Sequence, residues 1–233
     1  MFTNSKGANG LTRLMLVAVC ITGIITLGGG SAIARTGSEG EQAAAAARLA
    51  EAETLLVNLG YWVTKVDGKA DVSTRQAVIA FQKAEGLKRT GILNEDVLGR
   101  MRTATRPAAK YAGGAHVEID LARQILMLVG DAGQVSRVLA ISTGSGEWYV
   151  SQGKRQKAFT PTGEFKITRQ IKGTRKAPLG SIYYPSYFHE GWAIHGSNSI
   201  PVTPASHGCA RVPRFAEKEL SDMLHVGMPV FVY

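Results

Sequence analysis

Cysteine is scarce in this chain, with two in 233 residues, which excludes a disulfide-rich scaffold. Charged residues amount to 19% against 45% hydrophobic and 7% aromatic, so a disordered polyelectrolyte is excluded and the chain can bury one large core or two small ones. The apolar run Leu14 to Leu27 falls short of the ~20 residues that cross a bilayer comfortably. No internal repeat is visible. Acidic residues are outnumbered, 18 against 27 Lys and Arg, for a formal charge of +9 that suits a polyanionic partner. The cations scatter and no aromatic-interleaved basic stripe is present, so nucleic acid is not expected. An anionic wall or membrane surface remains.

Lys6 and Arg13 precede the apolar run, and Gly-Gly-Gly-Ser and Ala32-Ile33-Ala34 follow it. These are the three regions of a secretory signal peptide, expected over residues 1–34. The product is then exported, extracytoplasmic, and held in the wall or periplasm, with the membrane a partner only if the signal is uncleaved. Val19 stands where a lipoprotein signal needs a small residue before its cysteine, so Cys20 is not a lipidation site. Cleavage after Ala34 leaves Cys209 as the only thiol. It has no partner for an intramolecular disulfide, and is either inert packing or chemistry.

The predicted fold class is α+β, a small helical domain followed by a mainly-β domain. After a polar linker from Arg35 to Gln42, residues 43–101 read as three helices. Leu49, Ala52, Leu56 and Leu59 form one apolar stripe ending at Gly60. Asp67-Gly68 is a turn. Ser73 to Gln76 has capping-box spacing ahead of Ala77, Val78 and Phe81; Gly86 stops that helix, and Asn94 caps a last one with Val97, Leu98 and Met101. Residues 102–114, with Pro107 and a Gly pair, are an interdomain linker.

From residue 115 to 233 the period changes to two. Val117, Ile119 and Leu121 alternate with polar residues, and Ile125 to Val129 follows as the second arm of a hairpin. Further strands are expected at Val135 to Ser142, Phe165 to Ile167, Trp192 to Ile194 and Pro229 to Tyr233. One helix is expected at Phe215 to Leu224, with Ala216, Leu220, Met223 and Leu224 on its buried face.

The chemistry-bearing stretch is Ile194-His195-Gly196 and, ten positions after Gly196, Ser206-His207-Gly208-Cys209-Ala210-Arg211. A free thiol has a pKa of about 8.5, and an imidazole within reach can take its proton, making the nucleophile. Gly208 would let the backbone approach closely and aim amides at a developing oxyanion. Two other readings remain open on residue types alone. One is a zinc site from His195, His207 and Cys209, though the chain lacks C-x-x-C and H-E-x-x-H spacing. The other is a buried inert cysteine beside structural histidines. Arg211 would hold a substrate carboxylate or fix the loop through a salt bridge. Tyr183, Tyr184, Tyr187 and Trp192 are candidate groove walls.

I-H-G followed by S-H-G-C-x-R resembles the signature of the L,D-transpeptidase catalytic domain, cysteine enzymes that cross-link peptidoglycan. Ile141-Ser142-Thr143-Gly144 and Thr160-Pro161-Thr162-Gly163-Glu164-Phe165 are similar to that family in order and spacing; the His195 to Ser206 interval is short for it. Leu59-Gly60-Tyr61, Asp67-Gly68, Thr74-x-x-Ala77-Val78-x-x-Phe81-Gln82, Gly86-Leu87 and Gly91-x-Leu93 resemble the peptidoglycan-binding module that accompanies many wall enzymes.

The resemblance implies Cys209 as nucleophile, His195 as general base and later acid, Gly196 orienting the imidazole through its carbonyl, and His207 in support. Ser206 and Gly208 would shape the turn, and the Gly208 and Cys209 amides would form the oxyanion hole. It implies 3-3 cross-linking of peptidoglycan stem peptides through a thioester, without metal or organic cofactor, and acylation by carbapenem-type β-lactams. The alternatives are an L,D-carboxypeptidase cutting the same bond, or a non-catalytic wall-binding protein.

Overall fold

The computed structural model describes residues 30–233, with side chains from Glu39 onward. The export signal expected over 1–34 therefore lies outside the described residues up to position 29, and its side chains lie outside them throughout. Contacts divide the chain between Glu39 and Gly40, and Gly40–Tyr233 forms one unit. No helix among the described residues is long and apolar enough to cross a membrane.

Helix α1 runs over Gly30–Asn58, so the stretch expected as a polar linker is helical. Five consecutive alanines, Ala43 to Ala47, are strong helix formers, and no proline breaks the run before them. Side chains from Glu39 to Arg48 are exposed, and the buried stripe begins only at Ala52. Gly60, at φ +89°, turns the chain after α1. Helix α2, Val72–Ala84, is capped by Asp71 and not by Ser73: the Asp71 carboxylate accepts from the Thr74 amide at 2.7 Å and from the Ser73 hydroxyl at 2.8 Å. A carboxylate two residues earlier is the stronger acceptor at a helix N-terminus, and it recruits the hydroxyl as a donor. Helix α3, Glu95–Thr103, is capped by Asn94 as expected.

Strands β1 (His116–Asp120), β2 (Ile125–Val129) and β3 (Val135–Ala140) form a meander. Strands β4 (Trp148–Ser151) and β5 (Lys154–Lys157) make a separate hairpin. They are followed by β6 (Gly163–Lys166), β7 (Arg169–Gln170), β8 (Thr174–Ala177), β9 (Gly180–His189), β10 (Trp192–Ser197), β11 (Ala210–Pro213), helix α4 (Glu217–Met223) and β12 (Pro229–Val232). One sheet has the order β3-β2-β1-β12-β6 and the other β11-β10-β9-β7, with β8 also on β9. Their facing sides enclose Val117, Ile119, Phe188, Ile194, Ala210 and Val212, closed by Ala216, Leu220 and Leu224 around α4. Met223, expected on that buried face, is turned outward, because the buried positions step by four and Met223 lies one residue off the row.

The two predicted domains share a core. Ile125, Met127, Val129, Val135, Val138 and Ala140 on the outer face of the meander pack with Leu56, Ala77, Phe81, Leu98 and Met101 of the helices. Strand β2 is thus buried against apolar cores on both faces and reads as a continuous apolar run, while β1, buried throughout as well, places His116, Glu118 and Asp120 on its second face. The stretch expected as a linker is held at both ends. Arg106 donates to the carbonyls of Asn58 (2.7 Å) and Val135 (3.1 Å), and the Lys110 and Tyr111 amides donate to buried Glu118 at 3.0 and 2.7 Å.

Candidate active site

Strands β10 and β11 run parallel, with Ile194 opposite Ala210 and His195 opposite Arg211. Side chains alternate along a strand, so Ile194, Ala210 and Val212 enter the core while His195, Arg211 and Cys209 take the other face. On its other side β10 pairs with β9, where Ile194 faces Ser186 and Gly196 faces Tyr183. Strand β9 therefore carries one extra residue beside His195, a bulge with Tyr184 at φ +48°. His195, Cys209 and Arg211 line one cleft of about 980 Å³, which also takes Tyr183, Tyr187 and Trp192 of the four candidate wall aromatics but not Tyr184.

The turn before β11 is tied on every side. The Ser206 hydroxyl donates to the Cys209 carbonyl (2.7 Å) and accepts from the Gly208 amide (2.9 Å). The Thr160 hydroxyl donates to the Gly208 carbonyl at 2.5 Å and accepts from the Gly144 amide at 3.0 Å. Gly208 has φ +140°, and a Cβ there would lie 2.6 Å from Trp192 Nε1 and 2.7 Å from the Phe159 carbonyl oxygen, so only glycine fits. This corrects one expectation: the Gly208 amide is engaged by Ser206 and is not free for an oxyanion, whereas the Cys209 amide has no hydrogen-bond acceptor among the described residues.

His195 is buried, and its Nδ1 donates to the Gly196 carbonyl at 2.8 Å, which leaves Nε2 as the lone-pair nitrogen of a neutral ring. Burial pulls the His195 pKa down; the bond to Gly196 opposes this and the Arg211 cation adds to it. Burial pushes the Cys209 thiol up, with the Ala193 amide and Arg211 opposing. The resting pair is therefore a neutral thiol with a neutral imidazole. The thiol points to the Gly191 carbonyl at 3.7 Å, and no hydrogen bond joins it to either histidine among the described residues.

Gly196 has no room for a side chain: a Cβ would fall 1.8 Å from Glu217 Oε2. Glu217, buried and paired with Arg214 at 2.6 Å, thus packs directly under the residue whose carbonyl orients the imidazole. His207 is exposed, its ring edge-on to Tyr149 at 4.6 Å. Arg211 is half-buried and enters none of the ion pairs among the described residues, so a loop-fixing salt bridge has no partner there. Lys157, Arg169 and Arg175 join Arg211 on the cleft wall against one acid, Glu190, which makes the cleft cationic. Among the described residues no group of three or more His, Cys, Asp or Glu is placed to hold a metal, and His207 faces Tyr149 instead of converging with His195 and Cys209.

Residue-by-residue reading assigned no role to Thr160, Gly191, Glu217 or Tyr149. Thr160 lies in the T-P-T-G segment already noted, so order along the chain pointed to it; the other three act through packing and a main-chain carbonyl, which leave no motif.

Fold and cleft together define an α+β protein whose β domain presents a thiol, an imidazole and a guanidinium on one strand face, with a helical module packed behind. The L,D-transpeptidase catalytic domain family matches residues 114–232 and a peptidoglycan binding domain family matches residues 46–101. The chain belongs to the L,D-transpeptidase family. A crystal structure of an L,D-transpeptidase from Xylanimonas cellulosilytica is similar at 41% identity and TM-score 0.74, over 78% of this chain and 90% of that one. An L,D-transpeptidase from Stackebrandtia nassauensis is 25% identical at TM-score 0.47, over 79% and 90%. A C442S mutant of the Enterococcus faecium L,D-transpeptidase is 25% identical at TM-score 0.42, over 52% and 50%. No curated protein matches the chain.

Proposed function

We propose that the chain is an exported cysteine acyltransferase that forms 3-3 peptidoglycan cross-links, with Cys209 as nucleophile and His195 as acid–base. The observation that carries this reading is the pairing of β10 with β11, which sets His195 beside the strand that Cys209 leads into, in a cationic cleft. As Cys209 Sγ attacks the carbonyl of the L-centre of the diamino acid at the third stem position, its proton passes to His195 Nε2. The carbonyl oxygen becomes an oxyanion facing the Cys209 amide. Collapse breaks the C–N bond to the terminal D-residue, whose amine leaves with the proton from His195, and a thioester remains. The side-chain amine of a second stem then attacks the thioester, gives its proton to His195, and the thiol is restored.

Neutral partners suit this order, because a base with a lowered pKa is free at neutral pH and the thiol is deprotonated only as it attacks. Gly196 holds the imidazole through its carbonyl, Ser206 and Gly208 shape the turn, and His207 supports from the rim beside Tyr149. Arg211 receives a substrate carboxylate, since it lies free in the cleft and matches carboxylate geometry. A carbapenem-type β-lactam offers a strained carbonyl to the same thiol. The helical segment, within residues 43–101, adds affinity for wall polymer.

Mass spectrometry of the products from purified muropeptides tests the reading. Cross-linked dimers joined through the third residues support it; trimmed monomers alone would make the protein an L,D-carboxypeptidase. Unchanged substrate, with no adduct at Cys209, would leave a wall-binding protein.

A further inference from the structure

Two basic side chains of the helical module reach into the β domain. The Lys83 side chain is fully buried, and its Nζ donates to the carbonyls of Gln124 (3.1 Å) and Ile141 (2.7 Å). Arg89 donates to the carbonyls of Val202 at 3.1 Å and Ala122 at 3.3 Å. From Gln124 the hydrogen bonds continue toward Cys209. Gln124 sits at φ +60°; its side-chain amide donates to the Thr143 hydroxyl (2.6 Å) and its side-chain oxygen accepts from the Thr143 amide (2.9 Å). The Thr143 carbonyl accepts from the Ala205 and Ser206 amides at 2.9 and 2.8 Å, and Ser206 holds Cys209 as described above. Val202 lies on the same loop, four residues before Ser206.

We propose that Lys83 and Arg89 are positioning residues for the Cys209 turn, so that the helical module completes the catalytic site from behind as well as binding wall. The inference rests on Cys209 being the nucleophile. Gln124 holds a left-handed backbone in the β1–β2 turn, and its carbonyl, which also accepts from the Ile141 amide at 3.0 Å, lies with the buried Ile141 carbonyl just past β3 against Lys83; without that amine the Ile141 carbonyl loses its side-chain donor. The Lys83 amine has N–H bonds enough for its two acceptors whether or not it is protonated, and burial lowers its pKa from 10.5 to about 7.

The test compares the full chain with Lys83→Met, which keeps length and removes the donors, and with Arg89→Ala and Arg89→Lys at a partly exposed site. The readout is adduct formation with a carbapenem by intact mass, resolved into the saturating rate and the half-saturating concentration, beside melting temperature and iodoacetamide alkylation of Cys209. Misplacement of the turn lowers the saturating rate by about ten- to a hundredfold in Lys83→Met and Arg89→Ala, leaves the half-saturating concentration within about twofold, and is largely rescued in Arg89→Lys. If Lys83→Met fails to fold, the Arg89 pair decides. Folded variants that acylate at the parent rate overturn the inference and leave the proposed function standing. A parent protein that forms no adduct at Cys209 overturns the proposed function itself.

Discussion

His195 stands opposite Arg211 across two parallel strands, so a guanidinium and an imidazole share a face with the thiol two residues before Arg211. The cation acts on both titrating groups in the same sense, favouring thiolate and disfavouring imidazolium. Burial is the larger cause of both shifts, and the guanidinium adjusts them.

In the proposed mechanism acylation requires unprotonated His195, whose pKa lies below its ordinary 6.5. The carbapenem acylation rate should rise with pH through a midpoint under 6.5 and be level near neutrality. Arg211→Met removes the cation that holds the imidazole down, so this midpoint moves up. Iodoacetamide, an uncharged probe, should show the thiol midpoint moving up as well. A profile unmoved in Arg211→Met would mean that the guanidinium does not act on the pair.

The two histidines are expected to separate. His195→Ala loses acid–base assistance and should slow adduct formation by about 10²–10⁴. His207→Ala should cost less, because the ring lies exposed against Tyr149 and Nε2 of His195 is the free base. Cys209→Ala should form no adduct at all. Rates measured by intact mass on folded variants decide, and a larger loss in His207→Ala would reverse the assignment of base and support.

Gly196→Ala places a methyl on the Glu217 carboxylate. Overpacking should destabilise the protein by about 1–3 kcal/mol and move the carbonyl that holds His195, lowering acylation too. Glu217→Ala in the same chain makes room and should recover part of both losses. Thermal melts and acylation rates of the single and double variants measure this directly, and strict additivity would show that the two residues do not meet.

Lys83 gives the folded state its own pH signature. Its pKa falls from 10.5 unfolded to about 7 folded, so between those values the unfolded chain binds more protons and stability rises with pH. The gain is at most about 1.4 kcal/mol per pH unit, and near pH 10 it is opposed by Tyr61 and Tyr233, whose pKa values burial raises in the folded state. Urea midpoints between pH 7 and 9 should climb in the parent and be flatter in Lys83→Met.

A catalytic fragment cut at residue 115 would expose Ile125, Met127, Val129, Val135, Val138 and Ala140 together. Such a patch promotes association, and the fragment should be less soluble and less stable than the full chain by light scattering and melting temperature. A monomeric fragment of parent stability would show that the shared core contributes little.

Much of this was legible in the sequence because it is local. The stripe Leu49 to Leu59, the stops at Gly60 and Gly86, the Asn94 cap and the hairpin from Val117 to Val129 each follow from periods and turn chemistry within a dozen residues. The constellation of His195, His207, Cys209 and Arg211 was legible because these residue types fall within seventeen consecutive residues. Strands β4, β5, β7, β8, β9 and β11 escaped, since β5 is wholly exposed and polar, β7 has two residues, β8 and β9 mix exposed and buried positions without a clean period, and β11 has four residues directly behind the Ser206 to Cys209 turn.

The sequence by itself determined the α+β class, the helical and β segments, and the thiol and imidazole that can carry acyl transfer. Only the tertiary structure decided that His195 and Cys209 line one cleft, that Gly208 gives its amide to Ser206, and that His207 turns to Tyr149. It alone decided that the helices close over the outer face of β2 and that Lys83 and Arg89 reach the carbonyls of Gln124, Ile141, Val202 and Ala122. Periodicity reports which face of an element is apolar, but which partner covers that face depends on contacts between residues far apart in the chain. Their free energy is set by shape and hydrogen-bond geometry that no local pattern encodes.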